Sequence, residues 1–198
     1  MPKIRRATLN DLELLSRLSA ETFTETFGKN YSEEDLNEYL TQRLSKKAIE
    51  GELKDPENIF FLIENLPQEP IGNAEVEDCE QYPSGYIKIT PNSDKFLNDL
   101  SDKFEKPLRS CYLERFYLLK DSQGSGLAHL AMQELITWIN ANTQCDTIHL
   151  TVFIENPRAQ KFYQKYGFIY AGDTIYHVGN TRDHELIYLK ALAISLVG

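Results

Sequence analysis

The stretch from Glu114 to Leu135 constrains the fold more than any other part of this 198-residue chain. Phe116, Tyr117, Leu118 and Leu119 form a short apolar run, the mark of a buried strand. Gly124 and Gly126 follow within a few residues and let the backbone turn sharply and approach a ligand. From Leu127 onward the apolar residues fall at Leu127, Leu130, Ala131, Leu135, Trp138 and Ile139, which is helical spacing. A strand that passes through a glycine loop into a helix leaves unpaired N–H groups at the helix start. The positive end of the helix dipole lies there too, so the loop is a site for an anionic group such as a phosphate.

The flanking sequence supplies the rest of the layers. Lys3–Ala7 reads as a first strand, and Thr8 with Asp11 three residues on has the form of a capping box. Leu12, Leu15, Leu18 and Phe23 give the helix that follows a core face, and a second helix opens at Ser32 with Leu36, Tyr39, Leu40 and Leu44. Asn58–Glu64 is a strand. Ile71–Val76 and Tyr86–Thr90 are strand candidates, either paired as a hairpin or with one of them a loop. Residues 77–109 form a polar excursion, with a short helix around Lys95–Phe104, long enough to lie over a binding site. Thr147–Ile154 is a β-branched strand. Asn156 then caps a helix with Pro157 at its first position, and that helix stops at Gly167. Strands within Phe168–Val178 and at Glu185–Leu192 meet at a Gly179-Asn180 turn. Alternating strands and helices around one central sheet make this an α/β chain, expected to be one domain over residues 1–198.

Charge and cysteine content narrow the function classes. A net charge of −9 argues against binding a phosphate backbone and mildly favours a cationic small molecule. Cys79, Cys111 and Cys145 are widely spaced and odd in number, as expected of reduced thiols rather than a disulfide frame or a metal site. No run is long and apolar enough to span a bilayer, and the polar start lacks a signal-peptide core, so the expected location is cytoplasmic, away from the membrane.

The loop itself excludes two common phosphate binders. No Gly-Lys-Ser/Thr follows it, as a Walker A loop requires, and the third glycine of a G-x-G-x-x-G fingerprint is replaced by His129. What remains is Gln123-x-x-Gly126-x-Ala128 after an apolar strand, followed by Asn156-x-x-Ala159-x-x-x-Tyr163-x-x-x-Gly167-Phe168. These two ordered motifs resemble those of the GCN5-related N-acetyltransferase (GNAT) family, whose acetyl-CoA loop reads Q/R-x-x-G-x-G/A. The likeness covers most of the chain and is strongest from Glu114 to Phe168. Glu21-Thr-Phe-x-x-Thr-Phe27, Ser32-Glu-Glu-Asp-Leu-x-x-Tyr-Leu40, Leu113–Leu118 and Tyr176–Leu192 further resemble the PaiA-type polyamine acetyltransferases.

The resemblance implies an α/β (α+β) domain with a mixed, mostly antiparallel twisted sheet flanked by about four helices. It implies transfer of an acetyl group from acetyl-CoA, without a metal, to a primary amine, with a polyamine as the subgroup's acceptor. It is compatible with a homodimer. A protein lysine or N-terminal acetyltransferase, and a CoA-binding regulatory module without catalysis, are the competing readings.

For the site, the resemblance implies that the backbone of Gln123, Gly124, Ser125, Gly126, Leu127 and Ala128 cradles the pyrophosphate. Phe116 and Leu118 present main-chain groups to the pantetheine arm, while their side chains read as core. Family members bulge this strand. Tyr163 matches the tyrosine that protonates the departing thiolate, its other reading being a core aromatic on a stripe with Ala159, Phe162 and Tyr166. Asn156 caps its helix, contacts the cofactor, or does both. Glu114 is a candidate base for an ammonium of pKa about 10.4, or else one partner of a salt bridge. Glu21 and Glu25 either receive a cationic acceptor or are simply solvated, and His149 reads as a packing residue.

Overall fold

The computed structural model describes residues 2–65, 82–97, 100 and 108–192. Strand β1 (Pro2–Arg6) runs into the Thr8/Asp11 capping box, which opens a single tight turn and then helix α1 (Leu12–Phe27). Ser32 caps α2 (Glu33–Arg43) and Ser45 caps α3 (Lys46–Lys54), each hydroxyl accepting a backbone N–H three residues on. Strands β2 (Ile59–Asn65), β3 (Gly85–Thr90) and β4 (Ser110–Leu118) follow, then α4 (Leu127–Asn142), β5 (Thr147–Phe153), α5 (Pro157–Lys165), β6 (Ile169–Val178) and β7 (Thr181–Ala191).

The expected mixed sheet is present, with seven strands among the described residues, in the order β1-β2-β3-β4-β5-β7-β6. Every neighbouring pair is antiparallel except β4 and β5, which run parallel. Both faces are covered. On one, Phe60, Leu62 and Tyr86 pack with Leu15, Leu18, Phe23, Tyr39 and Ile49 of α1–α3. On the other, Phe61, Ile63, Ile87, Ile89, Ile148 and Leu150 pack with Leu127, Ala131, Met132, Leu135 and Ile139 of α4. Burial on two faces explains why β2 reads as a continuous apolar run rather than an alternating one.

Some expectations shift. β7 begins at Thr181, four residues before the expected start, because a two-residue turn leads straight into it. Its outward Arg182 and His184 disguise a strand whose inward residues are also acidic. Lys95–Leu97 forms a turn, and Leu97 and Leu100 pack on Ile187 and Leu189 of β7. The remainder of that expected helix, the Ile71–Val76 candidate and Cys79 lie outside the described residues. Cys111 and Cys145 are free and buried. Among the described residues no helix is long and apolar enough to cross a membrane.

The β6–β7 turn is anchored by α2. The Asp35 carboxylate accepts from Asn180 N at 2.7 Å and from the Thr181 hydroxyl at 3.2 Å. Gly179 has φ +55°, and a Cβ there would lie 2.2 Å from Asp35 Oδ1. Gly179→Ala should therefore destabilise the chain by about 1–3 kcal/mol from backbone strain, with the clash added. Gly51→Ala, inside α3 with nothing within 4 Å of its Cβ, should stabilise it. That gain should be about 0.5–1 kcal/mol. Urea midpoints of the two variants check both signs.

Candidate active site

The parallel pairing of β4 and β5 is short: Ser110, Cys111 and Tyr112 face Thr147, Ile148 and His149, and there it ends. From Leu113 to Leu118 β4 has no partner on its β5 side among the described residues, while β5 continues to Phe153. Between β3 and β4 the register steps from Lys88↔Arg115 to Ile89↔Leu113, so Glu114 is the extra residue of a β-bulge. A bulge bends its strand and tightens its twist. β4 and β5 thus diverge, opening a cleft of about 880 Å³.

His149 secures the closed end. Its Nε2 donates to the Lys95 carbonyl at 2.9 Å, Nδ1 lies 2.7 Å from the Ser110 hydroxyl, and its ring stacks on Tyr112 at 4.8 Å. Burial lowers its pKa to about 4, so it is neutral and structural at ordinary pH.

One set of cleft residues comes from the glycine loop and α5: Gln123, Gly124, Gly126, Ala128, Asn156, Arg158, Ala159 and Tyr163. Gly124 and Gly126 hold φ of +84° and +86°, in the left-handed region that favours glycine. Gly126 is the N-cap of α4 and offers no side-chain cap. The N–H groups of Gly124, Gly126 and Ala128 find no acceptor among the described residues and are free for a phosphate oxygen. Leu127 turns its side chain into the core, and the Ser125 hydroxyl donates to the Ser122 carbonyl at 2.7 Å. Gln123 ties the loop together, donating to the Leu118 carbonyl at 3.2 Å and accepting from Arg158 at 2.7 Å. Lys120, Lys161 and Lys165 add positive charge to this end. Asn156 Oδ1 caps α5 through Ala159 N at 3.1 Å. These features fit the diphosphate and pantetheine arm of acetyl-CoA.

Phe116 lies 5.8 Å from Phe162, and Leu118 is buried in the core. Tyr163 lines the cleft, packs edge-on against Phe162 and Phe168, and its hydroxyl has no hydrogen-bond partner among the described residues. Burial, with a contribution from Glu185, holds its phenol well above the ordinary pKa, so it stays protonated.

Glu114 lies in a buried charge cluster. It contacts Lys88 at 2.9 Å and Arg115 at 3.7 Å. Arg115 makes a bidentate pair with Glu52 at 2.7 and 3.0 Å, and Lys88 reaches Glu52 at 3.1 Å. Burial pushes the Glu114 carboxyl up, but Arg115, Lys88 and Lys95 outweigh it and hold its pKa below the usual value. Glu25 accepts from Lys120 N at 2.9 Å and lines the cleft, whereas Glu21 binds the Tyr82 hydroxyl at 3.1 Å.

The second set of lining residues includes several that the sequence reading passed over. Tyr31, Tyr39, Tyr117 and Tyr176 line it with Phe23 and Phe27, and Asp183 and Glu185 project from one face of β7. Phe23 stacks on Tyr39 at 4.4 Å, the Tyr39 and Tyr176 hydroxyls lie 3.1 Å apart, and Tyr31 donates to Asp183. An i, i+2 acidic pair on a strand was the available signal, since such residues share a face. Metal chemistry has no cluster to work with among the described residues.

Glu52→Ala leaves Arg115 and Lys88 buried with Glu114 as their one remaining carboxylate among the described residues. It should cost about 3–5 kcal/mol, read from the urea midpoint. Because Glu114 is held below its unfolded pKa near 4.5, its share of stability is present above that pH. It is lost as pH falls through the folded value.

The model of the acetyltransferase (GNAT) family matches residues 17–168. An uncharacterized N-acetyltransferase from the pepI 3′ region of Lactobacillus delbrueckii subsp. lactis is 25% identical over 194 residues, covering 96% of this chain and 97% of that protein. A probable spermine N(1)-acetyltransferase of Bacillus subtilis subsp. natto is 34% identical over 62 residues, which is 31% of this chain and 41% of that protein. A PaiA N-acetyltransferase of Thermoplasma acidophilum, solved with coenzyme A, has the same fold, with TM-score 0.64, 16% identity, and coverage of 96% of this chain and 99% of that one. The chain belongs to the GNAT family of acetyl-CoA-dependent N-acetyltransferases.

Proposed function

We propose that the protein transfers the acetyl group of acetyl-CoA directly to a small alkylammonium acceptor of polyamine type. One observation carries the reading. Where β4 and β5 part, the cleft reaches an aromatic cavity that holds two carboxylates, Asp183 and Glu185. Aromatic faces attract an ammonium through their quadrupoles, and carboxylates fix its position. The net charge of −9 favours the approach of such a cation. The similarity over 62 residues to two Bacillus subtilis proteins named as spermine acetyltransferases points the same way.

In this reading the loop amides hold the diphosphate and the open edge of β4 pairs with the pantetheine arm. The bulge at Glu114 frees a main-chain N–H to polarise the thioester carbonyl. Tyr163 donates a proton to the sulfur as the C–S bond breaks.

A panel of polyamines, monoamines and peptides, with free thiol followed, tests the acceptor. Polyamines should give the highest kcat/KM, and a peptide that outperforms them would falsify the polyamine reading. Tyr163→Phe should lower kcat by about 10²-fold or more while the acetyl-CoA Kd measured by calorimetry stays put.

A further inference from the structure

We infer that Glu185, the carboxylate on β7 and not Glu114, takes the proton from the acceptor ammonium. The inference rests on the acetyl-transfer reading above and assigns the base of its first proton step.

Geometry separates the two carboxylates. Glu114 is held by Lys88 at 2.9 Å and Arg115 at 3.7 Å, with Glu52 completing the cluster. A proton arriving there would break a buried ion pair and leave excess positive charge in the core. Glu185 makes no ion pair within 4.0 Å among the described residues and lines the cleft. It stands opposite Phe153 on β5 and Thr174 on β6, with Thr151 of β5 acting to lower its carboxyl pKa.

The charged and titratable groups around Glu185 set its behaviour. Burial raises its carboxyl pKa, Thr151 opposes, Asp183 on the same strand raises it further, and Lys95 opposes. Tyr31 beyond α1, Tyr112 and Tyr117 on β4, and Tyr163 on α5 all feel its charge. Tyr176 on β6 sits across from Asp183, diagonal to it. Glu185 is thus an anion poised to accept a proton, whereas Glu114 is held against accepting one.

In full, the ammonium loses one proton to Glu185, and the freed nitrogen lone pair forms the C–N bond. The C–S bond breaks with its electron pair on sulfur, and sulfur takes the Tyr163 proton. The second N–H proton, acidic once nitrogen is acylated, restores Tyr163, and Glu185 returns its proton to solvent. Ammonium and acetyl-CoA become amide, CoA thiol and one released proton.

The experiment compares pH profiles of kcat for the wild type, Glu185→Gln and Glu114→Gln with the best amine from the panel, after calorimetry has shown that each binds acetyl-CoA. Glu185→Gln should lose about 10²-fold in kcat near neutrality and regain rate steadily as pH rises toward the amine pKa. Glu114→Gln should keep the wild-type acidic limb. Thr151→Val removes the hydroxyl that lowers the Glu185 pKa, so it should move that limb to higher pH. This variant serves if Glu185→Gln does not fold. The inference is overturned if Glu185→Gln changes KM alone, if Glu114→Gln is the variant that loses the limb, or if Thr151→Val leaves it in place. A wild type that releases no thiol with any amine overturns the acetyl-transfer reading instead.

Discussion

One extra residue in β4 sets the shape of the active site. Lys88 and Ile89 of β3 pair with Arg115 and Leu113, so Glu114 is accommodated as a bulge. A carboxylate at a bulge in the middle of a sheet would be costly to bury alone. Here Lys88, Arg115 and Glu52 surround it with balancing charge, and Arg115 and Lys88 are both about 5% exposed or less. Such a cluster adds little net stability over a well-packed apolar core, but it is expensive to disrupt. It therefore fixes where the bulge falls. The bend that results separates β4 from β5 after only three pairs, and the cleft follows from that separation.

The sequence made most of this architecture legible because local signals and tertiary layers agree. Thr8 with Asp11, Ser32 and Asn156 all serve as the helix caps their positions suggest. The apolar runs of β2 and β5 are strands covered on both faces. The loop motif and the α5 motif lie on the same cleft because both elements abut the open edge of β4. The bulge also left a trace. Cys111 and Leu113 face the α4 side, as do Phe116 and Leu118, so the alternation slips by one residue at Glu114.

The acceptor end was less legible, for a physical reason. Tyr31, Tyr39, Tyr176 and Asp183 are brought together by the docking of the β6–β7 hairpin on α2, a contact between Asp35 and Asn180 that spans 145 residues of chain. No local pattern encodes it. Asp183 and Glu185 alternate with Arg182 and His184, so their strand reads as polar on both faces and resembles a loop. Likewise, sequence spacing placed Glu114 on the central strand but could not distinguish a free carboxylate from one held by two cations.

In the proposed reading, the charged side chains that line the cleft divide between its two substrates. At the donor end the start of α4 and the side chains of Lys120, Arg158, Lys161 and Lys165 favour a polyanion. At the acceptor end Asp183 and Glu185 favour a cation. The overall charge of −9 would repel acetyl-CoA, but salt confines that repulsion to about 8 Å, and the local positive end acts within the cleft, where screening is weaker. In that reading a free amine, an ammonium at neutral pH, is held at the acidic end and must lose a proton before it can react. Binding and reactivity therefore place opposite demands on the same nitrogen, and two carboxylates rather than one can meet both. Asp183, tied to Tyr31, can keep a cationic acceptor in place, while Glu185, without an ion-pair partner among the described residues, can change its charge as the reaction proceeds.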